Sequence, residues 1–212
     1  MKNSSKKVLM GFAIAASLLT SVQVHADETD PSQRYIHRMQ QAIRVLYGSA
    51  SPSEAFQSTV LQVSEIDLLS FLHNVAGNAH FIGISQVEFI HTSAHPIMVR
   101  ADEYSLEDVV THVLRNAERF RTPKTPITLS LSYSELAATL SIHNCGPHIA
   151  EDMLEKIFEY GVSDQDDAGA NGNRGQGLFV AKTYMAKMGG TIYAQNVAGG
   201  VVFVLGLQRG VS

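Results

Sequence analysis

Cysteine is almost missing from this chain: Cys145 is the only one in 212 residues, so no intramolecular disulfide can form and no disulfide framework fixes the compartment. An excess of one charge is missing too. The 16 basic and 20 acidic side chains leave a net charge of -4, which excludes a strongly basic surface drawn to nucleic acid or anionic lipid. No repeat of fixed period is visible, so a solenoid or propeller is excluded. With 45% hydrophobic and 17% charged residues the chain is neither disordered nor collagen-like, and it is long enough to bury one sizeable core beside a short appendage.

The one long apolar run, from Val8 to Val22, is shorter than the ~20 residues a spanning helix usually needs. Lys2, Lys6 and Lys7 precede it, and Val24, His25 and Ala26 end it with a small residue at cleavage spacing. That pattern predicts a secretory signal peptide over residues 1–26, with an uncleaved anchor as the alternative. Either reading sends the following domain outward.

Beyond it, Ile36, Met39, Ile43 and Leu46 recur every three or four residues, predicting a helix that Gly48 and Pro52 break. A second helix is expected across Leu68, Leu69, Leu72, Val75, Ala76 and Ala79, with Ser64 and Asp67 as candidate caps and Gly83 after its end. Val87 with Phe89, and Ile97 with Val99, alternate as short strands. Ser105 is expected to cap a helix whose apolar face is Leu106, Val109, Val110, Val113, Leu114 and Ala117, with Asn116 beside that stripe. A hairpin follows, Ile127, Leu129 and Leu131 against Leu136, Ala138, Leu140 and Ile142. Met153, Leu154, Ile157 and Phe158 mark a short helix, and residues 163–174 are polar and glycine-rich, as in a mobile loop. A last helix from Leu178 to Met188 stops at Gly189 and Gly190, and a final hairpin closes around Ala198, Gly199 and Gly200.

Three segments far apart place small or polar residues where packing alone would not ask for them: THVLRNAERF at 111–120, SIHNCGPHI at 141–149 and NRGQGLFVAK at 173–182. In order and spacing they resemble the asparagine box and the two glycine boxes of sensor histidine kinases. Lys156, Ile157, Phe158 and Glu159 resemble the phenylalanine box between them. The resemblance covers Ile66 to Gln208 and implies an α/β two-layer sandwich, a mixed and mostly antiparallel sheet covered by helices (the Bergerat ATPase fold), preceded by a helix. The expected domains are 1–26, signal or anchor; 27–63, linker and partial dimerisation helix; and 64–212, the ATPase domain.

The resemblance assigns ATP and magnesium as cofactors. Asn116 would be the metal ligand, a hard oxygen donor beside triphosphate oxygens. Arg119 would meet phosphate as a guanidinium fork, and Phe120 would lie along the adenine. Asn144 stands where the family has an aspartate for the adenine amino group; its amide oxygen can still accept. Gly146 would let the backbone approach the base. Gly175 and Gly177, with Leu178, open the last helix, where backbone N–H groups and the dipole meet phosphate. No G-x-x-x-x-G-K-[ST] occurs, which excludes the ordinary P-loop.

The sequence also departs from the family. His112 replaces the first of two asparagines and His148 replaces a glycine; the latter reads as a solvated loop residue. None of the nine histidines has the setting of a phosphoacceptor; His37 is the nearest, followed by Arg38. The implied activity is therefore phosphoryl transfer from ATP to a histidine supplied in trans. A serine kinase of the anti-sigma type and a non-catalytic nucleotide- or response-regulator-binding remnant are the competing readings. Implied partners are ATP and a response regulator or full-length kinase, with homodimer formation left open and membrane contact confined to the N-terminal segment. Export conflicts with a chemistry that requires cytoplasmic ATP, so localisation stays open between them.

Overall fold

Alternation and helical spacing resolve into ten main elements in a computed structural model that describes residue 57, residues 59–162 and residues 175–210. The signal-like segment, the helix expected around Ile36 to Leu46, His37 and the glycine-rich stretch 163–174 lie outside the described residues. All described residues belong to one compact unit, Arg44–Ser212.

The order is β1 (Ser64–Asp67), α1 (Leu68–Asn78), β2 (Val87–His91), β3 (Met98–Ala101), α2 (Glu103–Phe120), β4 (Ile127–Tyr133), β5 (Ala137–Cys145), α3 (Gly177–Lys187), β6 (Thr191–Val197) and β7 (Gly200–Gln208). Five strands form one sheet in the order β2-β4-β5-β7-β6. Only the β2–β4 pair is parallel, so the sheet is mixed and mostly antiparallel, as expected. β1 and β3 make a separate antiparallel ribbon, linked to the main chain of β7's end through Val99 and Arg209.

The period-2 pattern separates the faces of the sheet. Leu129, Ile142, Phe203 and Ala194 stand in one cross-strand row, and Leu131, Leu140, Leu205 and Ile192 in the next. This face joins one hydrophobic core with Leu68 and Leu72 of α1, Val109, Val113 and Leu114 of α2, and Val180, Ala181 and Met185 of α3. The opposite face carries Ser130, Ser141, Val204 and a half-exposed Tyr193, residues short or polar enough to need no cover. Helices therefore lie on one side only, which makes the sandwich two-layered.

Several local expectations change. α2 is capped by Asp102, not Ser105: the Asp102 carboxylate accepts from Ser105 N at 2.8 Å, the usual cap-to-third-residue bond, and also from Gln62 N at 2.6 Å. Ser105 sits inside the first turn with its hydroxyl buried. Ser64 belongs to β1, while Asp67 caps α1 as predicted, accepting from Leu69 N. Leu136 is 83% exposed in the turn before β5 rather than in the strand. Residues 151–158 form two 3-10 turns instead of a helix, too short to complete a nucleated α-helix, with Phe158 buried edge-on to Phe203.

Asp67 ties α1 to the segment before β3, since it also accepts from Ile97 N at 3.1 Å. Burial pushes its carboxyl up, but hydrogen bonds from Ser70, Ile97 and Leu69 outweigh it and hold the group below the ordinary carboxylate range. A depressed folded value means that this stabilisation is present above the unfolded value and is lost as pH falls through the folded one. Asp67→Ala is expected to cost about 1 kcal/mol in urea unfolding near neutral pH. The gap between the two proteins should close in acid; a gap that persists there refutes the carboxylate's role.

Candidate nucleotide site

The apolar stripe of α2 faces the core and turns an adjoining face, His112, Arg115, Asn116, Arg119 and Phe120, toward a hollow between α2, α3 and the 3-10 turns. Two adjoining cavities share Asn116, Phe120, Met153, Ile157 and Leu178 as walls. The inner one, about 340 Å³, is closed by Asn144, Ile149, Val201 and Phe203. The outer one, about 540 Å³, is bounded by His112, Arg115, Arg119, Gly175, Gln176 and Gly177. An apolar slot with one amide thus opens onto a cationic, glycine-lined mouth, a division suited to a base and its phosphates.

Asn144 occupies an inward position of β5, in register with Ile127 and Val201, and is 2% exposed. Its amide nitrogen donates to Cys145 O at 3.3 Å. At the rim, the Arg119 guanidinium stands 5.0 Å from the Phe120 ring centroid, in cation–π range.

The mouth is built from glycines for steric reasons. Gly175 has φ +77°, and a Cβ there would lie 2.6 Å from Gly161 C. That contact is fixed by a hydrogen bond from Gly161 N to Gly175 O at 2.9 Å. A Cβ on Gly177 would meet His112 Nδ1 at 2.9 Å, so the imidazole lies directly on the first residue of α3. Gln176 makes no side-chain cap, and the first turn of α3 carries no acidic side chain of its own to compete for its backbone donors. Burial, together with the positive charge of Arg115, holds the His112 imidazole below its ordinary value.

Of the eight residues expected from sequence, Asn116, Arg119, Phe120, Asn144, Gly175, Gly177 and Leu178 line one or both cavities. Gly146 does not. Its N–H donates to Gly199 O at 3.1 Å, and a Cβ there would fall 2.4 Å from Phe120 O, so the end of α2 is what demands glycine at this position. His148 is exposed and its Nε2 donates to Val197 O at 2.9 Å. Sequence reasoning missed Met153, Gln176, Arg115 and His112 as walls; the apolar one is indistinguishable from core in a sequence, and the polar ones lie within the motif segments without matching a residue to which the resemblance assigns a role.

Among the described residues no group of three or more His, Cys, Asp or Glu side chains could cage a metal ion. A magnesium ion carried in on phosphates needs no such cage. Such an ion keeps water and substrate oxygens and needs few protein ligands, and Asn116 offers an oxygen where the two cavities meet.

Fold and cavity together define an α/β nucleotide-binding domain. Residues 101–210, just over half of the chain, match the family described as histidine kinase-, DNA gyrase B- and HSP90-like ATPase, and the chain belongs to it. It is similar to sensor protein ChvG of Rhizobium meliloti (strain 1021), 29% identical over 121 residues that are 53% of this chain and 21% of that protein. It is also similar to the probable sensor histidine kinase TcrY of Mycobacterium tuberculosis (strain ATCC 25618 / H37Rv), 24% identical over 148 residues, 69% of this chain and 31% of that protein. The chain spans about a fifth to a third of the length of these relatives. Among solved structures, the catalytic domain of the histidine kinase ThkA superposes with TM-score 0.60 at 22% identity, covering 70% of this chain and 97% of that one. Full-length ShkA in complex with AMPPNP gives TM-score 0.60 at 20% identity, covering 88% and 41%. The described domain is thus an ATP-binding domain of this family, similar to the ones that sensor histidine kinases carry.

Proposed function

We propose that this domain binds ATP with magnesium across the joined cavities and delivers the terminal phosphoryl group to a histidine on a separate polypeptide. The observation that carries the reading is that Asn116 lines the same cavity as Gly175 and Gly177, residues that a remote packing would have kept apart. The adenine lies in the inner slot between Phe120 and Phe203, with the Asn144 amide oxygen accepting from its amino group. Arg119 and the backbone donors at Gly175, Gly177 and Leu178 hold phosphate oxygens. Gly146 supports the slot from behind by letting β5 close on the end of α2. Magnesium, when bound through Asn116, spreads the negative charge of the triphosphate; the chain's own part is to fix the nucleotide and exclude water around its terminal group.

No histidine among these 212 residues has a phosphoacceptor's setting in the sequence, which supports an acceptor outside them. On this reading residues 64–212 are the ATPase domain, 27–63 a linker with a partial dimerisation helix, and 1–26 a signal peptide or anchor through which any membrane contact runs. A response regulator or a full-length kinase is the natural partner.

The test mixes purified protein with labelled ATP, magnesium and a separately expressed dimerisation domain. Acid-labile label on histidine is the expected result. Label on serine would instead support the anti-sigma-type kinase, and nucleotide binding without label would support a non-catalytic role.

A further inference from the structure

The side chains along one face of α2 divide between the two cavities. Phe120 and Asn116 line both cavities, whereas His112 lines only the outer one, together with the mouth of α3. Residues four apart on a helix are about 6 Å apart along its axis and share a face. Moving from Phe120 through Asn116 to His112 therefore runs away from the inner slot and into the outer compartment, beside the first residue of α3.

His112 is also fixed there. Its ring rests against Gly177, so that no side chain at 177 could be accommodated without displacing it. Partial burial and the neighbouring Arg115 favour the uncharged imidazole, which presents one N–H donor and one acceptor. Among the described residues, the charged groups bordering this compartment are Arg115 and Arg119, both on α2. A neutral ring between a guanidinium and uncapped helix donors has one evident ligand, an anionic oxygen.

We propose that His112 is a specificity-determining contact for the terminal phosphate of a nucleoside triphosphate, its ring donating a hydrogen bond at the mouth of α3 while Gly177 holds it in place. The assignment rests on the nucleotide reading above.

Two variants separate hydrogen bonding from packing. His112→Phe keeps a flat ring against Gly177 and removes both nitrogens; His112→Asn removes the ring and retains an N–H donor. Affinities for ATP, ADP and adenosine are measured by calorimetry in magnesium, with thermal unfolding as a check on the fold. His112→Phe is expected to weaken ATP about three- to tenfold, the effect of one neutral hydrogen bond, with ADP and adenosine unchanged. His112→Asn is expected to recover most of the ATP affinity.

Equal weakening of ATP and ADP in His112→Phe, or no weakening of either, overturns the assignment while leaving the nucleotide site intact. A wild-type protein that binds none of the three overturns the nucleotide reading itself. Should His112→Phe fail to fold, the wild-type ring reports directly: its ¹⁵N resonances, identified by their loss in His112→Asn, should move with ATP and stay with ADP. Identical spectra with the two nucleotides would refute the contact.

Discussion

Asn116→Ala will weaken ATP binding in the presence of magnesium by roughly 10- to 150-fold, the effect of removing an interaction with a charged partner, about 1.5–3 kcal/mol. Asn116 is half-buried, beside the apolar stripe of α2 and outside the hydrophobic core. Truncation there opens no core cavity, and stability should move by no more than about 0.5 kcal/mol. The informative comparison is with magnesium withdrawn. Wild-type protein should then fall toward the variant, because both lack the amide-to-metal link, and the two titrations should nearly coincide. If the variant gains as much from magnesium as the wild type does, the amide is not a metal ligand and the metal enters elsewhere.

Phe203→Ala is expected to have the largest effect on folding, about 3–5 kcal/mol. The side chain is 1% exposed, stands in register between Ile142 and Ala194, and receives the edge of Phe158 with ring centroids 6.2 Å apart. Its loss removes a cross-strand packing unit and unseats the 3-10 turn that carries Phe158. Against a typical domain stability of 5–15 kcal/mol this is a large fraction, readable as a lower denaturation midpoint. Phe203 also walls the inner cavity, so adenosine affinity should fall in whatever protein remains folded. Saturating ATP should raise the midpoint of the wild type more than that of the variant, since a ligand stabilises only in proportion to its binding. A loss below about 1 kcal/mol would mean that the core refills the space and that the slot is not rigid.

The two substitutions test different levels of the same arrangement, and the sequence exposed those levels unequally. The alternation Ala138, Leu140, Ile142 was plain, and its continuation puts Asn144 on the inward face. Helix α2 and its buried face were legible from spacing, and so were Asp67 as a cap and the glycine stop after α3. The cap of α2 was misplaced to Ser105, because serine and aspartate are near-equal caps in a sequence. What separates them is that Asp102 has extended backbone and also ties down Gln62. Residues 151–158 read as a helix because their apolar spacing fits one, yet packing of Phe158 against Phe203 fixes them as 3-10 turns.

Local spacing, caps and turn residues act between near neighbours, so the sequence alone determined the main helices and strands, while the two-layer class followed from the resemblance that the three motif segments carry. Gly146 was expected to admit a base, and its close neighbour is instead the carbonyl of Phe120. His112 stood out only as a departure from the family's pattern, and it lies on Gly177 at the mouth of the outer cavity. Those outcomes depend on how α2, β5 and α3 pack across the core, contacts between residues distant in the chain that carry no local signature. Only the tertiary structure could decide them, because an approach between two elements is set by the side chains of every other element pressing them together.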